Sequence, residues 1–207
     1  MDIVVHPSYF PCIAQMAACA QAKTVIFEVC DNYQKQTYRN RARIAHANGE
    51  LQLNIPIQHS KDGTRQKTAE VAPDNNFPWQ AQHWKSLQSA YRTSPFFEFY
   101  EDDMAPLFQK RVSSLLEHNL EIYTLLCELL GMDGNFEETH VYQKDLEKKD
   151  LRHWVRGKKE RSYALEPYTQ VLQEKHGHLS NLSVIDLLFN EGPNALNYLE
   201  RQQLSWE

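Results

Sequence analysis

The 207-residue sequence predicts an α/β protein with a mixed sheet, an N-terminal βαβ unit, a β-hairpin and a helical C-terminal half. Two β-rich runs, residues 2–5 and 24–29, flank a helical pattern that follows Pro11, and this order in so short a span is typical of parallel strands. Asn48-Gly49 then separates two extended runs, which is a strong hairpin signal. We predict a single domain that spans residues 1–207, with most strands in residues 1–75 and mostly helices in residues 76–207.

The hairpin prediction fixes a register. With Asn48 and Gly49 as the two central turn residues, Arg43 lies across from Asn54 and Arg41 across from Pro56. Arg39, Arg41 and Arg43 then share one face, about 7 Å apart along the strand, while the aliphatic side chains share the other. Asn40 lies on the apolar face, where we expect a buried and hydrogen-bonded amide.

Later elements follow from capping and proline signals. A strand is predicted at 68–71, helices are predicted after Pro78 and Pro95, and a further helix is predicted over residues 106–117. Asn119 is the predicted N-cap of a helix that ends at Gly131.

The C-terminal region ends in two short predicted helices. Ser183 is the predicted cap of the helix 184–190, with Asp186 as an acidic capping-box residue, and the last helix follows Gly192-Pro193. Residues 144–161 are dense in charge and are predicted to be an exposed connector, with Gly157–Lys159 mobile.

Composition excludes several classes of protein. A net charge of −5 argues against a protein that mainly coats nucleic acid, and nothing approaches the length of an apolar membrane span. The four cysteines form no C-x-x-C pair, so we interpret them as reduced thiols in a cytoplasmic protein. Cysteine and histidine are too scattered for a metal site, no Walker A or G-x-G-x-x-G motif is present, and no cofactor is indicated.

The carboxyl ends of the predicted parallel strands form the first candidate site. Ligands bind at this edge of an open α/β sheet. His6 and Tyr9 follow the first strand, and the second strand leads into Glu28, Asp31, Gln34 and Lys35. A neutral histidine there can accept a proton, which suggests His6 as a general base; the structural alternative is a histidine that bonds a nearby carbonyl at the strand end.

Cations supply a second candidate feature. Lys35, Arg39, Arg41 and Arg43 have no interspersed acid, so they can bind a phosphate, pyrophosphate or carboxylate; the alternative is a solvated hairpin face. On the helix after Pro78, Lys85 and Arg92 can extend an anion site. His83 is a candidate substrate contact or a half-buried structural residue.

Four segments together resemble the WbqC-like family over roughly residues 3–200: HPSYFP, YQKQTYRNRARI with NGELQLNIPI, QHWKSLQSAYRTSPFFEFYED and NLSVIDLLFNEGPN. Its members are bacterial, and some are encoded in O-antigen and other surface-polysaccharide loci. The sequence departs from the family pattern at His6-Pro7, where many members have Gln-Pro, and at Val29-Cys30-Asp31, where many have an acidic pair. The charged stretch 148–161 also lacks the Ser-Gly-rich sequence of longer members.

The resemblance implies a transferase of surface-polysaccharide biosynthesis that moves an acyl or aminoacyl group, such as glycine, onto a nucleotide- or lipid-linked sugar. The alternative is a non-catalytic partner protein of the same pathway. In the transferase hypothesis His6 and Lys35 are catalytic, and the ligand is an anionic small molecule such as a nucleotide-sugar. The predicted substrate-binding residues are Tyr9, Gln34, Arg39, Arg41, His83, Lys85 and Arg92.

Overall fold

Four parallel strands form the sheet at the N-terminal end of the fold. The computed structural model describes residues 1–58, 60, 63–156 and 163–206. The strand order is β5 (Glu137–Glu138), β2 (Thr24–Phe27), β1 (Asp2–Val5) and β6 (Lys149–Asp150), and Asp2 pairs with Thr24. The predicted βαβ unit is confirmed, with α1 (Ile13–Gln21) as the crossover helix.

The two faces of this sheet are covered differently. Ile3, Val5, Val25 and Phe27 point into the main apolar core together with α1, whose small alanine and cysteine side chains permit close packing. Val4 and Ile26 point the other way and line a cavity of about 960 Å³ beneath residues 137–148. The segment that follows β5, residues 139–148, borders a sheet face that helices cover in most parallel sheets.

The hairpin is confirmed, but its predicted register is wrong. β3 (Arg41–His46) pairs with β4 (Gly49–Asn54), and His46 lies opposite Gly49, so the turn residues are Ala47 and Asn48. Arg41, not Arg43, therefore faces Asn54. Each β3 residue pairs with a β4 residue two positions earlier than predicted. Because side chains alternate between the two faces of a strand, a shift of two residues leaves each on its predicted face, and Ala42 and Ile44 point into the core. Asn40 is buried as predicted, and its Nδ2 donates to the Ile55 carbonyl (2.9 Å).

Helices dominate the rest of the described chain and pack on the hairpin and on α1, which confirms the helical C-terminal half. They are α2 (Trp79–Tyr91), α3 (Phe97–Met104), α4 (Pro106–Gln109), α5 (Leu115–Leu130), α6 (Gln173–His176), α7 (Val184–Glu191) and α8 (Ala195–Arg201). Short 3-10 turns occur at Thr68–Glu70, Arg152–Val155 and Gly192–Asn194. Within the described ranges, no helix is long and apolar enough to cross a membrane.

Two predicted elements are wrong. Thr68–Glu70 is a 3-10 turn and not part of a strand, and the helix from Pro106 ends at Gln109, where the backbone becomes extended. The next helix begins at Leu115 because the Ser114 hydroxyl accepts from the Glu117 amide (3.2 Å). Asn119 is therefore not a cap: it lies inside α5, and its Nδ2 donates to the Arg39 carbonyl (2.8 Å).

Asp186 is also not a capping residue. It is fully buried in α7, where it accepts hydrogen bonds from the hydroxyls of Tyr91 (2.6 Å) and Tyr168 (2.5 Å). Ser183 is the cap, as predicted, and its hydroxyl accepts from the Ile185 amide. Asp186 thus joins three separate segments of the chain in the core.

The predicted connector contains regular structure. β6 lies within it, and Leu151, Trp154 and Val155 are buried, so these residues belong to the body of the fold. Their apolar side chains explain why residues 151–155 pack against the fold, while Lys144 and Arg156 stay exposed. The predicted mobile residues Gly157–Lys159 lie outside the described residues.

We predict that Ser114→Ala lowers the free energy of unfolding by about 1 kcal/mol, because the Glu117 amide loses its capping acceptor. Urea denaturation measures the change. The exposed neighbour in Ser113→Ala is the matched control and should leave stability unchanged. Equal losses in the two variants would contradict the assignment of the cap.

Candidate functional site

The carboxyl ends of the parallel strands meet at one edge of the sheet, and polar side chains converge there. His6 follows β1, Glu28 follows β2, Thr139 follows β5 and Arg152 follows β6. Each strand therefore contributes one residue to the same edge, as the topology requires.

Glu28 is the centre of this convergence and is fully buried. Its Oε1 accepts from the Cys30 amide (2.9 Å) and the Thr139 hydroxyl (3.0 Å), and its Oε2 accepts from Arg152 Nη1 (3.2 Å). A buried carboxylate needs such partners, since desolvation without them costs several kcal/mol.

Arg152 ties the chain segment before β6 to this edge. Its Nε and Nη2 donate to the Asp150 carboxylate (2.9 and 2.7 Å). It also donates to the carbonyls of Gln143 (2.7 Å) and Lys144 (2.9 Å), and its guanidinium lies 5.2 Å from the centre of the Tyr142 ring. Arg152 thus acts as an anchor that holds residues 142–144 over the edge.

Arg39 forms a second buried ion pair beside the first. Its Nη2 donates to Asp31 Oδ2 (2.6 Å) and to His6 Nε2 (2.8 Å), and the other Asp31 oxygen accepts from the Thr68 hydroxyl (2.5 Å). Only 1% of the Arg39 side chain is exposed. Arg39 is therefore not part of a solvent-facing arginine row, and its charge is already paired.

His6 is held in one tautomer by its partners. Its Nδ1 lies 3.3 Å from the Glu28 carbonyl, which can only accept, so Nδ1 carries the proton and Nε2 accepts from Arg39. Burial, the Arg39 guanidinium and, more weakly, the charges of Arg152 and Arg156 lower the pKa of His6 well below its ordinary value. His6 is therefore neutral at pH 7.

A cavity of about 560 Å³ opens beside Asp31. Residues 31–33 run antiparallel to residues 66–68: the Thr68 amide donates to the Asp31 carbonyl (3.0 Å) and the Tyr33 amide to the Gln66 carbonyl (3.0 Å). This pairing forms one wall of the cavity of about 560 Å³, which we call the larger cavity of the site. Its lining consists of Cys30, Asp31, Asn32, Tyr33, Gln34, Lys35, Arg65, Lys67 and Tyr142.

A smaller cavity of about 170 Å³ adjoins the first and reaches His6. The two cavities share Asp31, Gln34 and Tyr142. The other lining residues of the smaller cavity are His6, Lys144, Asp150, Arg152, His153, Val155 and Arg156.

The predicted site residues separate into two groups. Gln34 and Lys35 line the larger cavity, and His6 lines the smaller one, so these three lie in one cleft. Arg41, Lys85 and Arg92 line neither cavity: Arg41 bonds Asn54 (3.2 Å), and Arg92 pairs with Glu101 (2.9 Å). The catalytic and binding roles of these residues stay predictions.

Tyr9 and His83 lie in the core. Tyr9 is fully buried, and its hydroxyl is 2.9 Å from His83 Nδ1. The Tyr9 ring also stacks on His118, whose ring nitrogen atoms have no hydrogen-bond partner among the described residues. This aromatic cluster, which Trp79 completes, supports α2 and α5 and does not reach the cleft.

Sequence reasoning missed the exposed cations of the cleft other than Lys35. Arg65, Lys67, Lys144 and Arg156 lie in segments without long regular elements. The signal in the sequence was the presence of apolar Leu151, Trp154 and Val155 within the charged segment. Because these three side chains are buried, the charged residues near them in the chain lie against the fold. Among the described residues, no His, Cys, Asp and Glu cluster could hold a metal ion.

We predict that the protein loses stability as the pH falls from about 6.5 to 4. Burial lowers the pKa of both His83 and His118 to about 4, so in this window the unfolded chain binds more protons than the folded one. The free energy of unfolding should fall by on the order of 1 kcal/mol per buried histidine for each pH unit.

His118→Phe tests this pH dependence. Because the phenyl ring cannot be protonated, the variant should gain more stability relative to wild type at pH 5 than at pH 7, by urea denaturation. His140→Phe, at an exposed histidine, is the control. The same pH slope in wild type and His118→Phe would overturn the prediction.

Known proteins are similar to this chain over most of its length. The model of the WbqC-like protein family matches residues 6–163, a range that begins at His6 and contains every residue named as a wall of the two cavities. An uncharacterized protein of Mycobacterium tuberculosis, Rv1507c, is 25% identical over 223 positions, which cover 95% of this chain and 96% of the relative. No solved structure matches the chain. The chain belongs to the WbqC-like protein family.

Proposed function

We propose that the protein binds a phosphate-bearing sugar, such as a nucleotide-sugar, in the larger cavity and transfers an acyl or aminoacyl group onto it during surface-polysaccharide assembly. The observation that supports the ligand is a set of three exposed cations, Lys35, Arg65 and Lys67, around that cavity. Within the described residues, none of the three forms an ion pair with a carboxylate. Phosphate oxygens are suitable partners for such unpaired cations.

The shape of the cleft supports a small ligand over a macromolecule. A volume of about 560 Å³ lies within the range of roughly 300–1,000 Å³ for small-molecule sites. The pathway assignment in the proposal rests on family membership, because some WbqC-like members are encoded in surface-polysaccharide loci.

His6 is the proposed proton acceptor. In the transfer, a sugar hydroxyl or amine loses its proton to His6 Nε2 as it attacks the acyl carbon, and the leaving group of the donor departs. Nε2 is bonded to Arg39, so the substrate must replace that contact. Asp31 then keeps the Arg39 guanidinium paired while His6 is in use.

Isothermal titration with UDP-glucose tests the ligand. We expect measurable binding to wild type and a loss of at least about tenfold in affinity for the double variant Lys35→Met with Lys67→Met, since each removes a charge-assisted hydrogen bond. Both side chains are exposed, so the variant should fold. Arg39→Met is unsuitable as a test because it would leave the buried Asp31 unpaired.

The control is Lys23→Met with Lys175→Met, which removes the same charge from exposed positions outside both cavities. The proposal fails if the two double variants bind UDP-glucose with equal affinity, or if wild type does not bind it. A non-catalytic partner protein, the alternative function, predicts the second result.

A further inference from the structure

The two cavities form a single cleft with cations at both ends. They share Asp31, Gln34 and Tyr142, while Lys35, Arg65 and Lys67 line only the larger cavity and Lys144 and Arg156 line only the smaller one. A ligand that occupies the whole cleft therefore contacts three cations at one end and two at the other.

The carboxylates of the smaller cavity do not neutralise its free cations. Asp31 is paired with Arg39 (2.6 Å) and Asp150 with Arg152 (2.7 Å), both through buried guanidinium groups. Lys144 and Arg156 are exposed and have no ion-pair partner in the ranges that the structure describes. An anion in this cavity thus gains two attractive contacts without displacing an existing pair.

The neutral ring of His6 is consistent with a positive potential in the smaller cavity. Its ring stays neutral beside three guanidinium groups, those of Arg39, Arg152 and Arg156, which lower its pKa in addition to the effect of burial. A bound anion reduces this positive potential. It would therefore also raise the basicity of His6.

Tyr142 lies between the two ends. Tyr142 is 50% exposed and borders both cavities. Its ring packs against the Arg152 guanidinium. Arg152 also holds the adjacent backbone, because it donates hydrogen bonds to the Gln143 and Lys144 carbonyls. A flat, exposed and anchored ring at this place presents an apolar surface to the uncharged middle of a ligand.

We infer that the sugar ligand carries a second anionic group on the side of the ring remote from its phosphate, and that Lys144 and Arg156 hold this group beside His6. The sugar ring then lies against Tyr142, and the phosphate lies among Lys35, Arg65 and Lys67. A sugar acid, whose second group is a carboxylate, is the substrate class. The inference rests on the proposed function, which supplies the phosphate end.

Three sugar phosphates separate the possibilities by isothermal titration: glucose 1-phosphate, glucuronic acid 1-phosphate and glucose 1,6-bisphosphate. We expect wild type to bind glucuronic acid 1-phosphate at least tenfold more tightly than glucose 1-phosphate. Arg156→Met with Lys144→Met should remove this difference and leave the affinity for glucose 1-phosphate within twofold of wild type. Arg111→Met with Lys175→Met, at exposed positions outside the cleft, should retain the full difference.

The outcomes also separate the two proposals. Equal affinity of wild type for glucose 1-phosphate and for both doubly anionic sugars overturns the second anion site and leaves the phosphate site standing. A preference for the bisphosphate over the uronic acid overturns the carboxylate assignment. If none of the three sugar phosphates binds, this inference fails, while the titration with UDP-glucose decides the proposed function separately.

Discussion

A single buried carboxylate, Glu28, holds the carboxyl edge of the parallel sheet together. Its two oxygen atoms accept from the backbone after β2, from Thr139 after β5 and from Arg152 after β6, while its carbonyl contacts His6 after β1. β5 and β6 have only two residues each, so main-chain pairing alone cannot position them firmly. Loss of one partner from a buried ion pair costs about 3–5 kcal/mol, and here that cost opposes any separation of the strand ends.

Charge at this edge is arranged in two layers. The inner layer consists of the buried Arg39, which pairs with the buried Asp31, and the buried Arg152, which pairs with the buried Glu28 and the partly exposed Asp150. The outer layer consists of exposed lysines and arginines around the cleft. The inner layer orients His6 and fixes the cleft walls, because its groups have little freedom to move. The outer layer keeps its charge available, since the nearby acids already have partners.

Particular residues show where sequence reasoning was sufficient for the site. The order of strand, helix and strand brought His6, Glu28 and Asp31 together at the carboxyl edge, because parallel strands leave a sheet on the same side. It also placed Gln34 and Lys35 in the same cleft. Arg39 does not join Arg41 and Arg43 on the hairpin face, because it turns inward to Asp31. Arg43 pairs with Glu50 (3.2 Å). Strand alternation assigns a face to each side chain but does not say which charged groups will meet across the fold.

The sequence by itself determined the α/β class, the βαβ start, the hairpin and the helical C-terminal half, because these depend on local periodicity, turns and caps. Only the tertiary structure decided the hairpin register, the short strands at Glu137–Glu138 and Lys149–Asp150, and the burial of Arg39, Arg152 and Asp186. Two-residue strands have no periodicity to detect, and a buried charge is stable only where distant segments supply its partners. The cleft belongs to this second group, since its walls come from residues 30–35, 65–67 and 142–156.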